Sequence, residues 1–403
     1  MTDITAAPSR SFVLPRFDRG PVMVALVALV AGALVIDRLV DVRQAALFLI
    51  GALLGLTLYH ASFGFTGGWR RMVVEKRGRS IRAQMLMVAV AAVIFIPLLA
   101  HGTAFGQPLA GAVAPVGVSV LFGAAIFGVG MQLGGGCGSG TLFTVGGGSA
   151  RMLVTLIFFI VGAVLGTANL PWWLSLPSLR PISLGTAIGV PGAIAVTLLG
   201  LGAVAAVTIA IERRVHGSLE RVAKPTTQGL ARVLQGPWPL FGAGVALAVL
   251  NVATLLVAGH PWSVTYGFAL WGAKITQAVG IPIDKWEFWT WPAQASALSH
   301  GVLFDVTSVM DFGIILGSAL AAGLAGKFAP KVPVSLLSFV AAAIGGVAMG
   351  YGARLSFGCN IGALFSGIAS GSVHAWLWFA AAFAGSTAGI ALRPLFGLDG
   401  FKK

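Results

Sequence analysis

Residues 134–148 read GGGCGSGTLFTVGGG, and residues 356–371 read SFGCNIGALFSGIASG. Each stretch carries one of the two cysteines in the chain, Cys137 and Cys359. At a constant offset of 222, nine positions are identical in the twenty-one residues around them: Gly123/Gly345, Gly128/Gly350, Gly130/Gly352, Leu133/Leu355, Gly136/Gly358, Cys137/Cys359, Gly140/Gly362, Leu142/Leu364 and Phe143/Phe365. Chance similarity between glycine-rich stretches explains some of these matches, but not the shared Gly-Cys-x-x-Gly-x-Leu-Phe core. We therefore predict an internal duplication with the cysteines at equivalent positions.

The composition around these stretches is that of a membrane protein. Of the 403 residues, 57% are hydrophobic and 9% are charged, whereas soluble domains carry about 25% charged residues. The mean hydropathy is +0.92. These values exclude a cytoplasmic enzyme, a secreted disulfide scaffold and a disordered chain. The net charge of +14 would suggest nucleic acid in a soluble protein, but in a membrane protein basic loops follow the positive-inside bias, so no nucleic-acid partner is expected.

Hydropathy predicts about ten helices that cross the lipid bilayer, because about 20 apolar residues are needed for each. The segments are too long and too uniformly apolar for the strands of a membrane barrel. The fold class is therefore an all-α polytopic membrane protein. The predicted spans are residues 21–40, 45–62, 83–100, 111–133, 150–168, 190–211, 238–258, 301–326, 333–353 and 373–393.

The basic residues predict the orientation and the domain boundaries. We expect a cytoplasmic N-terminal segment (1–20), a first membrane repeat (21–211), a basic cytoplasmic linker (212–237) and a second membrane repeat (238–403). The apolar run after residue 20 lacks a cleavage site and is expected to stay as a signal anchor. Four basic clusters and the N-terminus then face the cytoplasm: Arg10, Arg16 and Arg19; Arg70, Arg71, Lys76, Arg77, Arg79 and Arg82; Arg213, Arg214, Arg221, Lys224 and Arg232; Lys327 and Lys331; Lys402 and Lys403.

Three segments are predicted not to cross. A loop around Pro171–Trp173 and a Trp-rich loop (286–291) are placed outside, which requires residues 264–280 to be re-entrant. The two cysteine stretches are also expected to be re-entrant half-helices meeting near the midplane, because non-helical backbone at that depth survives only where it is buried or lines a wet cavity. The helix before Cys137 runs inward and the helix before Cys359 runs outward. Such inverted repeats indicate a transport site.

The cysteine stretches favour an anion that contains a soft atom. Helix N-termini attract anions, glycines allow close approach of the backbone, and a thiol offers a weak S–H donor on a polarizable sulfur. Beside Cys137 and Cys359, the candidate substrate-binding residues are Gly136, Gly358, Gly138, Asn360, Gly140, Gly362, Arg354, Gln132 and Lys274. Arg354 either guides the anion or is a helix-end residue that reaches the interface. Asp311, also at membrane depth, is a candidate for pairing or for carrying a coupling proton.

Other interpretations stay open at this point. Either cysteine alone is more often a small buried hydrophobe, and the pair could form a disulfide. A metal is disfavoured because neither stretch holds a histidine or a further cysteine, and no metal or cofactor is expected. The main alternative function is a membrane thiol-redox enzyme that uses Cys137 and Cys359 as an exchanging pair. The sequence contains no phosphate-binding loop of the GxxxxGK[ST] type.

Together with GFALWGAK (residues 267–274), the two cysteine stretches resemble the YeeE/YedE family of bacterial inner-membrane sulfur-transport proteins. The resemblance implies uptake of thiosulfate, or of related sulfur or selenium anions, through an hourglass-shaped body in which Cys137 and Cys359 relay the anion by S–H···S hydrogen bonds. A soluble sulfur-carrier protein is a candidate partner. Better-known members carry a third cysteine in a Phe-Cys-Phe-x-Gly element, where this chain has Gly64.

Overall fold

The computed structural model describes residues 17–221, 229–328 and 334–401. Within these ranges, ten helices are long and apolar enough to cross a membrane, which confirms the prediction of a polytopic all-α membrane protein. They are α1 (Arg19–Leu39), α2 (Val42–Ala61), α4 (Arg79–His101), α5 (Val118–Gly134), α7 (Ala150–Ser175), α8 (Leu184–His216), α10 (Leu240–Ala258), α14 (Val306–Leu324), α15 (Leu336–Leu355) and α17 (His374–Leu392).

Shorter elements connect the long helices. They are α3 (Phe65–Glu75), α6 (Gly138–Gly146), α9 (Gly229–Gln235), α11 (Thr265–Ala278), α12 (Glu287–Thr290), α13 (Pro292–Ser299), a π-helix (Asn360–Ser366) continued by α16 (Gly367–Ala369), and 3-10 turns at Ile283–Lys285, Val302–Phe304 and Arg393–Phe396. Two antiparallel pairs of two-residue strands complete the fold: β1 (Thr103–Ala104) pairs with β2 (Gln107–Pro108), and β3 (Val116–Gly117) pairs with β4 (Ser178–Leu179).

The structure corrects two details of the predicted spans. Helix α5 begins at Val118 and not near residue 111, because the preceding residues form the strand β3. Residues Pro171–Trp173 lie inside α7 and not in a loop. A proline is tolerated in a membrane helix where neighbouring groups satisfy the freed backbone carbonyl, and hydropathy alone does not reveal this continuation.

Several basic residues used for the predicted orientation fall outside the described residues. They are Arg10, Arg16, Lys224, Lys331, Lys402 and Lys403. The direction in which the helices cross therefore stays a prediction, as do the domain boundaries.

Glycines allow the central helices to pack backbone to backbone. A Cβ atom added to Gly128 of α5 would lie 2.1 Å from the Ala382 carbonyl oxygen of α17, and one added to Gly350 of α15 would lie 2.2 Å from the Phe159 carbonyl oxygen of α7. A real side chain cannot occupy either position without displacing a helix. Close approach through small residues is the usual way in which membrane helices associate, so these crossings fix the core that carries the cysteines.

Candidate functional site

Each cysteine caps the N-terminus of a short helix. Cys137 precedes α6, and its Sγ accepts a hydrogen bond from the Gly140 N–H at 3.4 Å. Cys359 precedes the π-helix, and its Sγ accepts one from the Ile361 N–H at 3.5 Å. The first N–H groups of a helix have no partner within it, and such a helix N-terminus favours an anion.

The two cysteine stretches meet. A Cβ atom added to Gly138 would lie 3.0 Å from the Cys359 Sγ, and one added to Gly140 would lie 3.2 Å from the Cys137 Sγ. Both thiols therefore pack against the first turn of α6, one from each stretch. This contact brings together the two predicted central residues although 222 positions separate them in the chain.

Both thiols are free and buried, with 1% of Cys137 and none of Cys359 exposed. The cysteines thus do not form a disulfide in this structure. Reactive redox cysteines are solvent-accessible in general, and this burial counts against the thiol-exchange alternative.

Two of the other predicted glycines, Gly136 and Gly358, lie where the backbone is tightly packed. Gly358 has a φ of +145°, and a Cβ atom there would lie 2.8 Å from the Ala363 nitrogen, so the turn before Cys359 favours glycine. A Cβ atom on Gly136 would approach the Thr141 nitrogen to 3.1 Å, whereas one on Gly362 would meet only the Ser263 side chain at 3.4 Å and beyond. Gly136 and Gly358 therefore shape the backbone beside the thiols.

Gln132 and Arg354, the predicted pair at equivalent positions, lie one helical turn or more before their cysteines. The Gln132 Nε2 donates to the Thr66 carbonyl oxygen at 3.1 Å and to the Ser386 hydroxyl at 2.8 Å. The Arg354 guanidinium carbon lies 5.7 Å from the centre of the Tyr266 ring and 5.9 Å from that of Phe288. Arg354 is buried and held by cation–π contacts with these two rings.

Lys274 is engaged elsewhere. Its ammonium donates hydrogen bonds to the carbonyl oxygens of Leu298 and His300, at the C-terminal end of α13. Capping of this kind suits a cation at a helix C-terminus. Its role in substrate binding stays a prediction, as do the roles of the other candidate residues.

Buried polar atoms without a hydrogen-bond partner gather around Cys359. Within the described residues they include both amide atoms of Asn360, the Thr265 hydroxyl and the Arg354 Nε. Buried polar groups are nearly always paired with protein or water. A concentration of unpaired donors and acceptors at one place therefore indicates space for a polar ligand or for water.

A cavity of about 590 Å³ reaches Cys137 from the end of the molecule where α2 ends and α10 begins. We call it the arginine vestibule, because four arginines line it: Arg70, Arg71, Arg79 and Arg232. Its lining contains no acidic residue in the part of the chain that the structure describes. Arg71 is paired with Glu75 and Glu220, whereas the Arg79 Nε is buried without a partner.

From the sequence, these arginines predicted only the orientation of the chain in the membrane, and the cavity that they share was missed. Arg232 comes from a distant segment, which no local pattern connects to Cys137. In the sequence, the cavity was indicated only by the position of Arg70 and Arg79 shortly after the Phe63–Gly67 element. This element also lines the cavity, through Gly64, Phe65, Thr66 and Gly67.

Comparison with known proteins adds independent information. A family model described as sulphur transport matches residues 60–388. The chain is 27% identical over 338 residues to the thiosulfate transporter TsuA of Spirochaeta thermophila, covering 82% of this chain and 92% of TsuA. It is 25% identical over 345 residues to TsuA of Escherichia coli strain K12, covering 77% of this chain and 84% of that protein.

A second kind of relative matches a shorter region. The chain is 32% identical over 161 residues to the probable transporter YedE of Escherichia coli strain K12, which covers 40% of this chain. The matched region spans 39% of the length of YedE.

Proposed function

The chain belongs to the sulphur transport family, as its resemblance predicted, and we propose that it carries thiosulfate across the bacterial inner membrane past Cys137 and Cys359. The observation that carries this proposal is the contact of two buried free thiols with a single helical turn, through Gly138 and Gly140. Two relatives named as thiosulfate transporters align over most of their length, which supports the choice of anion.

The geometry suits a small dianion with one soft end. Backbone N–H groups at the starts of α6 and of the helical stretch Asn360–Ala369 can bind its oxygens, as helix N-termini do in general. The thiols supply weak S–H donors and polarizable sulfur atoms for the terminal sulfur. The arginine vestibule attracts the anion at one end, because Arg70, Arg79 and Arg232 have no ion-pair partner among the described residues and uncompensated cations raise the local anion concentration.

A pseudo-symmetric body explains why the matched glycines recur. A Cβ atom on Gly130 would lie 2.8 Å from the Gly345 carbonyl oxygen, and at the equivalent pair one on Gly352 would lie 2.4 Å from the Gly123 carbonyl oxygen. A second pair of equivalent contacts follows the same pattern. Gly166 packs against Arg354, and Gly389 packs against Gln132, the residue equivalent to Arg354. These paired contacts support two halves related by a two-fold axis in the membrane plane.

The helix contacts favour five long helices in each half. Helices α4 and α14 are equivalent in this proposal, because each precedes one of the matched helices α5 and α15. Helix α1 packs on α14, and α8 packs on α4, so α8 is the counterpart of α1. In this proposal the division between the two halves lies between α7 and α8, before the predicted linker 212–237. Because five is an odd number of crossings, the second half begins on the opposite side of the membrane from the first and is therefore inverted relative to it.

The short helices fit the proposal of re-entrant segments. Helix α6 has nine residues, about 14 Å at 1.5 Å per residue, which is half of a hydrocarbon core of about 30 Å. Helix α11, with fourteen residues, is likewise too short to cross. In this proposal the α6 and Asn360–Ala369 stretches approach the midplane from opposite sides.

The orientation is tested by labelling with a membrane-impermeant thiol reagent. The exposed side chains of Arg213, at the end of α8, and Lys285, before α12, are replaced by cysteine. We expect Arg213→Cys to react only from the cytoplasm and Lys285→Cys only from outside, while the buried native cysteines stay unlabelled. Reaction of both positions from one side would contradict the inverted arrangement.

Uptake of radiolabelled thiosulfate into cells that lack other thiosulfate importers tests the function itself. Cells producing the protein should accumulate label well above the background of cells carrying an empty vector. If the correctly inserted protein adds nothing to that background, the proposed function is wrong.

A further inference from the structure

Asp311 is a buried carboxyl group that the proposed path does not use. It lies in the second turn of α14, with none of its surface exposed. Neither carboxyl oxygen has a hydrogen-bond partner among the described residues, and no described cation pairs with it. An unpaired carboxylate in such surroundings is strongly unfavourable, so the group is neutral there only if it carries a proton.

A polar route leads to Asp311 from the end of the molecule opposite to the arginine vestibule. A cavity of about 380 Å³ there is lined by His260, His300 and Asp305. The Asp305 Oδ2 accepts hydrogen bonds from the Ser308 N–H at 2.7 Å and from the Ser308 hydroxyl at 2.6 Å. Asp311 follows Asp305 by six residues, about 9 Å further along the helix axis.

The route continues to the cysteines. A Cβ atom on Gly267 would lie 3.0 Å from the Asp311 Oδ2 and 3.4 Å from the Ser308 hydroxyl oxygen, so both groups border the same glycine of α11. Thr265, in that turn of α11, packs with Cys359 around Gly138. Asp311 therefore lies between the outer cavity and Cys359.

We propose that Asp311 takes a proton from the outer cavity through Asp305 and Ser308 and releases it to the cytoplasmic side with each anion, so that the protein is a proton–anion symporter. This inference rests on the proposed function. An inside-negative membrane potential opposes uptake of a dianion, and the sequence contains no ATP-binding loop. A proton that enters with the anion offsets one of its charges. Proton transfer along this route forms and breaks O–H bonds at Asp305, Ser308 and Asp311 in turn, and no other bond changes in the cycle.

Few other ionisable groups face Asp311. Helix α11 contributes Tyr266 and Lys274, whose ammonium is engaged with carbonyl oxygens, and the cysteine stretch contributes Cys359. Helix α6 carries none. The ionisable side chains on the remaining elements packed against α14 lie near the element ends: Arg19, Asp37 and Arg38 on α1; Arg43, Tyr59 and His60 on α2; Arg232 on α9. Asp311 is therefore the group on this route that is buried, titratable and unpaired.

The test compares accumulation with exchange in proteoliposomes of the full chain. Asp311→Asn keeps the size and polarity of the side chain but cannot release a proton. We expect wild-type protein to accumulate radiolabelled thiosulfate when the outside is made acidic. Asp311→Asn should lose this accumulation but still exchange external label for internal unlabelled thiosulfate. The matched control is Ser318→Ala, a buried polar position on the same helix, which should keep both activities.

The other possible outcomes would each contradict either the proton-carrying role of Asp311 or the proposed function. If Asp311→Asn accumulates thiosulfate in response to the pH gradient, or if it loses exchange as well as accumulation, Asp311 is not the proton carrier. Wild-type accumulation that ignores the pH gradient also overturns the inference while leaving the transport function in place. If wild-type protein neither exchanges nor accumulates thiosulfate, it is the proposed function that fails.

Discussion

Cys137→Ala and Cys359→Ala are each expected to abolish thiosulfate uptake without reducing the amount of folded protein. Alanine removes a single sulfur atom from a buried position beside α6, so the helix crossings stay intact. In the proposed site the substitution removes a thiol donor to the anion, and a hydrogen bond to a charged group contributes about 1.5–3 kcal/mol. That is a loss of about tenfold to more than a hundredfold in binding alone. Initial uptake rates, normalised to protein in the membrane, measure it.

Serine at the same positions is the matched control for the chemistry. Cys137→Ser and Cys359→Ser keep a donor of similar size but replace the soft sulfur with oxygen. We expect uptake by the serine variants to fall between wild-type and alanine values. Uptake at the wild-type rate in either alanine variant would show that the corresponding thiol is only a packing residue.

Gly128→Val and Gly350→Val are expected to prevent correct folding. Their first side-chain atoms would lie 2.1 and 2.2 Å from the Ala382 and Phe159 carbonyl oxygens, and helix backbones cannot yield as flexible side chains do. Overpacking a core costs about 1–3 kcal/mol where side chains can shift, and a collision with backbone costs more. The fraction of protein that elutes as a monodisperse peak in mild detergent, and its thermal unfolding midpoint, should both collapse.

Gly202→Val serves as the control for this pair. Gly202 lies on α8, where a Cβ atom would meet nothing within 4 Å, so the same substitution should leave both measurements near wild-type values. If Gly128→Val or Gly350→Val behaved like Gly202→Val, the close helix crossings of the central body would be wrong.

The parts of this fold that follow from single helices could be predicted from the sequence. Uniform apolar runs of sufficient length identified the ten long helices, and the repeated Gly-Cys core identified Cys137 and Cys359 as candidates. The matched glycines Gly128 and Gly350 were visible as a pattern, but their partners on α17 and α7 were not, because a repeat in sequence does not state which surfaces meet.

Features that depend on several distant segments escaped prediction. The arginine vestibule combines Arg70 and Arg79 with Arg232, and Arg354 is held by the rings of Tyr266 and Phe288, which neither of its two predicted roles specifies. The contact between Gly138 and the Cys359 thiol likewise appears only when the two halves are assembled. Such features arise from tertiary contacts, which hydropathy and residue spacing do not encode.

The central claim is that two thiols select a soft anion, and competition for thiosulfate uptake tests it most directly. Sulfate and selenosulfate are dianions of similar shape, so the arginines and helix N-termini attract both nearly equally, and only the thiols distinguish them. A difference of about 1.4 kcal/mol is already tenfold in affinity. We predict that excess selenosulfate blocks uptake of radiolabelled thiosulfate at concentrations at which sulfate has little effect. Equal inhibition by sulfate and selenosulfate would contradict a site built on Cys137 and Cys359.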